Sequence, residues 1–198
     1  MRFTSVLGHL MNYSFPEECS NWAETPLDKL FEVDLERKIN SEYLGIQNNL
    51  EVLSRNAEKL ILWLDWDREG EGISFEVLDV VQSSNPKIEY LRAKFSAVTP
   101  DDIWNAMKTL GPPNRNLALA VETRQEIDLR IGASFTRFQT LNFSDLIKRS
   151  GLVLSYGPCQ FPTLGFVVDR YKEIKEFVPE IYWSLSITQK FPADKNKI

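Results

Sequence analysis

Residues 61–81, ILWLDWDREGEGISFEVLDVV, constrain the fold more than any other stretch of the chain. The run LILWL is uncharged and too short between its flanks for a helix, so it reads as a buried strand. It stops at Asp65. Beyond the acidic turn, GISFEVLDVVQ reads as a helix that SSNP ends. Upstream, SEYLGIQNNLEVLSRNAEKL spaces Leu44, Ile46, Leu50 and Leu53 as an amphipathic helix, with Ser41 as its cap. Downstream, KIEYLRAKF alternates as a second strand. Helix–strand–helix–strand is the pattern of a parallel α/β sheet. Such sheets bind ligands at the carboxyl ends of their strands, and Asp65 falls at that edge.

Asp65, Asp67 and Glu69 have the spacing D-x-D-x-E. Alternate residues of a strand share a face, so Asp65 and Asp67 are expected to point together from the strand end, with Glu69 in the turn beyond. Clustered carboxylates repel one another unless a cation or arginine lies among them, and Arg68 is placed to help. Oxygen donors without His or Cys suit a hard ion such as Mg²⁺. A solvated acidic turn has the same spacing. The strand before it, and Gly70 and Gly72 after it, favour the metal site, because glycine allows close backbone approach.

The rest of the chain is read more coarsely. FTSVLGHL is expected to be a short strand entering a turn at Gly8, and DLERK an exposed strand or linker. In TPDDIWNAMKTL, Thr99 caps a helix with Pro100 at its first position and two aspartates against its dipole. GPPN breaks that helix. Residues 114–149 form a long helical region, expected to bend or break near Gly132–Ala133. SYGPCQFP reads as a loop, TLGFVVDRYKEIKEF as a helix with Thr163 near its start, and EIYWSLSITQKF as a strand with no partner in what remains.

Composition sets the outer bounds. A 43% hydrophobic chain of 198 residues supports a core and excludes disorder. Cys19 and Cys159 lie far apart with no ligand at zinc spacing, which excludes a zinc knuckle or a disulfide scaffold and suits a reducing compartment. No apolar stretch reaches the roughly 20 residues that span a bilayer, and MRFTSVLGHL is too short and polar for a signal peptide. A net charge of −5 argues against indiscriminate nucleic-acid binding. The charge is uneven: residues 1–123 hold 12 Lys+Arg against 20 Asp+Glu, and residues 124–175 hold 8 against 5. Scattered solvated charge and a binding face account for this asymmetry equally well.

Taken together, these motifs resemble a family. DWDREGEGI resembles the acidic signature of the Toprim domain in the form used by type IA DNA topoisomerases. SVLGHLMNYSFP resembles the Gly-His segment of that family, and YLRAKFSAVTPDDIWNAM its R-A-x-F-S-x-[IV]-T strand. ETRQEIDLRIGASFTRFQT and SYGPCQFPTLGFVVDRYKEIKEFVPE resemble the helical domain of the topoisomerase III branch, in its eukaryotic alpha form above all. The resemblance runs over nearly the whole chain in the right order. It implies a Rossmann-like, mostly parallel Toprim domain over residues 1–100, a helical DNA-binding domain over 101–178, and the start of a β arch domain over 179–198.

The resemblance also implies an activity. The family cuts one DNA strand with a tyrosine, passes another strand through the gap and reseals it without ATP. By that likeness Asp65, Asp67 and Glu69 hold Mg²⁺ near the scissile phosphate. Arg124 and Asp128 match an R-x-x-x-D motif; four apart on one helix face, they are expected to pair, with the arginine near the DNA phosphate. Arg130 and Arg137, seven apart, form either a phosphate track or a solvated face. Ser155, Gly157 and Gln160 match an S-x-G-x-x-Q loop that lies against the single strand. His9 follows Gly8 at the Gly-His position and is either structural or in contact with the site. The implied partners are single-stranded DNA, a RecQ-family helicase and an OB-fold cofactor protein, and the implied location is the nucleus.

Two features of the family pattern have no counterpart in this sequence. The glutamate of the first Toprim motif would lie upstream of FTSVLGHL. The nucleophilic tyrosine is expected in a Tyr-Pro-Arg-Thr context, and none of Tyr13, Tyr43, Tyr90, Tyr156, Tyr171 and Tyr182 is followed by Pro-Arg. The expectation is therefore a fragment with the metal half of the chemistry, inactive alone and marginally stable. The alternatives are a non-catalytic single-stranded-DNA-binding module and another Toprim enzyme, a primase or nuclease.

Overall fold

The computed structural model describes residues 1–147 and 152–189. Residues Met1–Phe161 form one compact unit, and Pro162 onward a second.

The first unit is built around two short sheets and a long helix. Strand β1 (Met11–Ser14) pairs antiparallel with β2 (Glu36–Ile39), and between them lies the short helix α1 (Lys29–Glu32). Helix α2 (Leu44–Ser54) leads to β3 (Lys59–Leu62), α3 (Arg68–Ser84) and β4 (Glu89–Arg92). β3 and β4 run parallel, with Leu60 opposite Tyr90 and Leu62 opposite Arg92. The expected βαβ unit is therefore present. Helix α4 (Pro100–Lys108) follows, then α5 (Arg115–Asn142), α6 (Ser144–Ile147) and α7 (Gln160–Glu176).

The core lies between α2, α3 and the parallel strands. Leu10, Leu50, Leu62, Val77, Leu78, Val80, Val81 and Ile88 are all buried in one cluster. Each such side chain contributes roughly 1.5–3 kcal/mol by leaving water. The aliphatic run of α3 thus faces the sheet, and its opposite flank packs on α5. No helix among the described residues is long and apolar enough to cross a membrane.

Several local expectations are corrected. FTSVLGHL is not a strand: residues 1–7 form no ladder, Gly8 turns the chain at φ 102°, and pairing begins at Met11, where β2 supplies a partner. A turn at Gly8 holds, since that positive φ is one glycine adopts without strain. The turn before α2 is capped by Asn40, whose side chain accepts from the Glu42 N–H, rather than by Ser41. Thr99 caps α4 as expected, accepting from the Asp102 N–H at 3.3 Å. Helix α5 passes through Gly132–Ala133 unbroken and ends at Asn142; residues 148 and 149 of the expected helical region lie outside the described residues.

Helix α7 already begins at Gln160, at the end of the first unit and three residues before Thr163. Residues 180–189 of the expected last strand form no ladder among the described residues, and Lys190 and Phe191 lie outside them.

Candidate functional site at the carboxyl end of the parallel strands

β3 ends at Leu62, so residues 63–67 form a loop rather than a strand extension. Asp65 and Asp67 therefore do not alternate along a strand. Asp65 sits in the loop with its side chain exposed. Asp67, also exposed, is the N-cap of α3: its Oδ1 accepts from the Gly70 N–H at 2.7 Å. This leaves Oδ2 for a ligand. Arg68 is the first residue of α3 and is exposed. Negative side chains at this end are favoured by the partial positive charge of the helix N-terminus.

Arg92, fully buried at the end of β4, holds the loop in shape. Its guanidinium donates to the carbonyls of Leu62, Leu64, Ala93 and Asp65 and pairs with Glu71 at 3.1 Å. The other oxygen of Glu71 accepts from the Asn114 N–H at 2.9 Å. Glu71 is thus a buried counter-ion for Arg92 and no part of an exposed acidic group. Gly70 packs directly on the same loop: a Cβ there would lie 1.9 Å from the Asp65 carbonyl oxygen.

Glu69, in the first turn of α3, reaches α5 and His9. Its Oε1 accepts from Arg124 Nη2 at 2.9 Å, and its Oε2 lies 2.9 Å from His9 Nε2. His9 Nδ1 lies 2.8 Å from Glu76 Oε1, and Glu76 Oε2 accepts from the N–H groups of Leu10 and Met11 at 2.6 and 3.2 Å. Carboxylates only accept, so both imidazole nitrogens carry protons and His9 is an imidazolium. Its pKa is raised to about 9, mainly by the bond to Glu76; burial opposes this, and Glu69 adds to it. The Glu69 pKa is lowered, first by His9 and, against burial, by Arg124. Gly72 makes the approach of α5 possible, because a Cβ there would meet Val121 at 3.2 Å and His9 at 3.5 Å.

The structure therefore brings Glu69, Arg124 and His9 together, but it does not gather Asp65, Asp67 and Glu69 into one metal-holding group. Among the described residues no three His, Cys, Asp or Glu side chains are so arranged. The oxygen-only pair Asp65 and Asp67 fits a hard divalent cation that keeps most of its water. Glu69 has both oxygens occupied by cationic neighbours.

The basic residues of α5 also separate. Arg124 pairs with Glu69 rather than with Asp128. Asp128 borders an open polar cavity of about 380 Å³ shared with Asn12, Tyr13, Arg124 and Gln125. Arg130 is occupied internally, bonded to Glu126 and to the carbonyls of Leu30 and Val33. Arg137 is buried, donating to the Cys19 carbonyl at 2.8 Å beneath Phe15 and Trp22. Arg130 and Arg137 are thus neither a phosphate track nor a solvated face but internal clamps, because both guanidiniums donate to backbone carbonyls.

The SYGPCQFP loop is strapped lengthwise along α5. The N–H of Leu154 donates to Thr140 Oγ1 at 3.1 Å and that of Tyr156 to Thr136 Oγ1 at 2.9 Å. The Tyr156 carbonyl lies over Gly132, where a Cβ would approach it to 3.3 Å. Gly132 therefore serves loop docking, not a bend. The Tyr156 ring lies tilted against Phe135 and Phe161, each centroid 5.0 Å away. Ser155 and Gln160 are left exposed and Gly157 half-buried.

Sequence reasoning missed Glu76, Arg92 and Gln125, whose side-chain amide lies 3.4 Å from His9 Nε2. One signal was available for Glu76: it follows Glu69 by seven residues, two turns along the same helix face.

With this geometry in hand, comparison with known proteins is informative. Residues 1–98 match the Toprim domain family and residues 112–197 the DNA topoisomerase family. DNA topoisomerase 3 of Dictyostelium discoideum is 44% identical over 213 residues, covering 94% of this chain and 26% of that protein. DNA topoisomerase 3-alpha of Homo sapiens is 42% identical over 190 residues, covering 95% of this chain and 19% of that protein. The structure of full-length topoisomerase I from Thermotoga maritima matches with a TM-score of 0.57 at 29% identity, over 88% of this chain and 27% of that one. The chain thus spans about a quarter or less of the relatives named here. With both domains matched in this order, and relatives of the topoisomerase 3 kind along almost its whole length, the chain belongs to the type IA DNA topoisomerase family.

Proposed function

We propose that this chain supplies the metal-holding and strand-holding parts of a type IA topoisomerase site that acts on single-stranded DNA. The observation that carries this reading is the meeting of two elements far apart in sequence. Arg124 of α5 lies 2.9 Å from Glu69, which follows the Asp65–Asp67 loop directly. A phosphate there would face carboxylates that favour a cation on one side and a guanidinium on the other.

In this reading Asp65 and Asp67 hold Mg²⁺, which offsets phosphate charge and orients the reacting oxygens. Arg124 donates to a phosphate oxygen with the nitrogens that Glu69 leaves open. Ser155, Gly157 and Gln160 meet the strand further along α5, a glycine backbone and a polar side chain suiting sugar–phosphate contact. No tyrosine of this chain is assigned as nucleophile. Cleavage, strand passage and religation without ATP are the proposed work of the whole enzyme, in recombination and repair in the nucleus. A RecQ-family helicase and an OB-fold protein are its proposed partners.

The test is binding of a fluorescent single-stranded oligonucleotide to the purified chain with and without Mg²⁺. Tighter binding with Mg²⁺, lost in Asp65→Asn and Asp67→Asn, supports the reading. Binding that ignores both Mg²⁺ and the two substitutions, yet falls in Arg124→Ala, favours a strand-holding module without metal chemistry. No binding in any condition overturns both.

A further inference from the structure

We propose that Glu76 and His9 are positioning residues that set Arg124 for phosphate, acting through Glu69. The proposal rests on the phosphate-holding role given to Arg124 above and adds how that role is prepared.

Four side chains from three parts of the sequence form one series: Glu76, His9, Glu69, Arg124. Its three links measure 2.8, 2.9 and 2.9 Å. The series has a fixed end and a free end. Glu76 is the fixed end, buried at 4% exposure, with its second oxygen held by two backbone N–H groups. Arg124 is the free end, exposed beside the polar cavity that Asn12, Tyr13 and Gln125 share with it.

Each link restricts the next. A carboxylate locked by two amides has one oxygen left, and that oxygen fixes the imidazole plane. The opposite ring nitrogen then fixes one oxygen of Glu69, so the remaining oxygen meets Arg124 at one place. An arginine side chain has many rotamers whose freedom is lost on binding. Held by Glu69 at Nη2, it has already lost part of that freedom and keeps its other donors for a ligand. This is preorganisation of a binding group by residues that never touch the ligand. Glu76 does not contact Arg124, so any energetic coupling between them travels through His9 and Glu69.

A double-mutant cycle on the whole chain reads that coupling. Arg124→Ala should weaken single-stranded oligonucleotide binding and lower the slope of log affinity against log salt by about 0.7, one phosphate contact. Glu76→Gln keeps the size of the side chain. It should weaken binding about three- to tenfold in the native background and less than twofold in the Arg124→Ala background. An equal loss in both backgrounds, or none in the native one, overturns the proposal. A second readout needs no DNA. The Arg124 guanidinium nitrogens should give resolved, slowly rotating NMR signals in the native chain and averaged ones in Glu76→Gln. Unchanged Arg124 signals in the variant overturn the proposal. If DNA binding is absent altogether, the proposed function fails while this readout still decides the positioning. Should Glu76→Gln not fold, His9→Gln takes its place in both experiments.

Discussion

Glu71 and Arg92 form an ion pair 3.1 Å apart, with both side chains out of contact with water. Removing one partner from such a pair leaves a buried charge uncompensated, at a cost of about 3–5 kcal/mol. Arg92→Met should therefore destabilise the first unit by about that amount in urea unfolding. Adding Glu71→Leu should recover part of the loss. The double variant should still bind Mg²⁺ more weakly, because nothing would hold the Asp65 carbonyl; calorimetric titration checks this.

Gly70 and Gly45 offer a matched pair of alanine substitutions. At Gly70 a Cβ would meet backbone at 1.9 Å, so Gly70→Ala has to move the acidic loop. A loss of about 3 kcal/mol is expected, as for severe overpacking. At Gly45, in α2, a Cβ meets nothing within 4 Å. Gly45→Ala should stabilise by about 0.5–1 kcal/mol through helix propensity. Chemical denaturation of the two variants measures both.

His9 is the single histidine of the chain, so its ring protons give an unambiguous NMR titration. The midpoint should fall near pH 9 rather than at the ordinary 6.5. Because the folded value is the higher one, the stability His9 contributes is fully present below pH 6.5 and is lost as pH rises through about 9. Glu69 works in the opposite direction: its lowered pKa gives stability present above 4.5 and lost as pH falls below that. His9→Gln should therefore lower the melting temperature more at pH 6 than at pH 10.

Thr136 anchors the strapped loop. Its hydroxyl accepts from the Tyr156 N–H at 2.9 Å and lies 3.4 Å from the Tyr156 carbonyl. Thr136→Val keeps the shape and removes the acceptor, leaving a partly buried N–H unpaired at a cost of about 1–3 kcal/mol. The cost falls on the loop, so hydrogen exchange at residues 154–157 should speed up while α3 and β3 stay protected.

The parallel unit was legible because its signals are local. An apolar run before an acidic turn, an amphipathic α2 and the Thr99–Pro100 start of α4 are each signalled within a few residues of sequence. What was not legible depends on partners distant in sequence. β1 was placed too early because FTSVLGHL carries no information about where β2 will meet it. Glu76 looks like any solvated helix glutamate until His9, 67 residues away, is placed against it. Arg130 and Arg137 share a helix face, as their spacing requires, but the chain turns that face toward carbonyls of residues 19–33. The carboxylates show both cases: an acidic turn was expected between strand and helix and is found there, while the loop position of Asp65 and the partition of Glu69 and Glu71 to separate arginines needed the fold.

A loop tied along a helix turns that helix into a ruler. Arg124 and Thr136 are twelve residues apart on α5, roughly 18 Å at 1.5 Å per residue. At about 3.4 Å per stacked step, that is on the order of five nucleotides. A strand shorter than this can engage the arginine end or the Ser155 end, but not both, so affinity should rise in a step with oligonucleotide length. The unbroken passage of α5 through Gly132 keeps that length fixed.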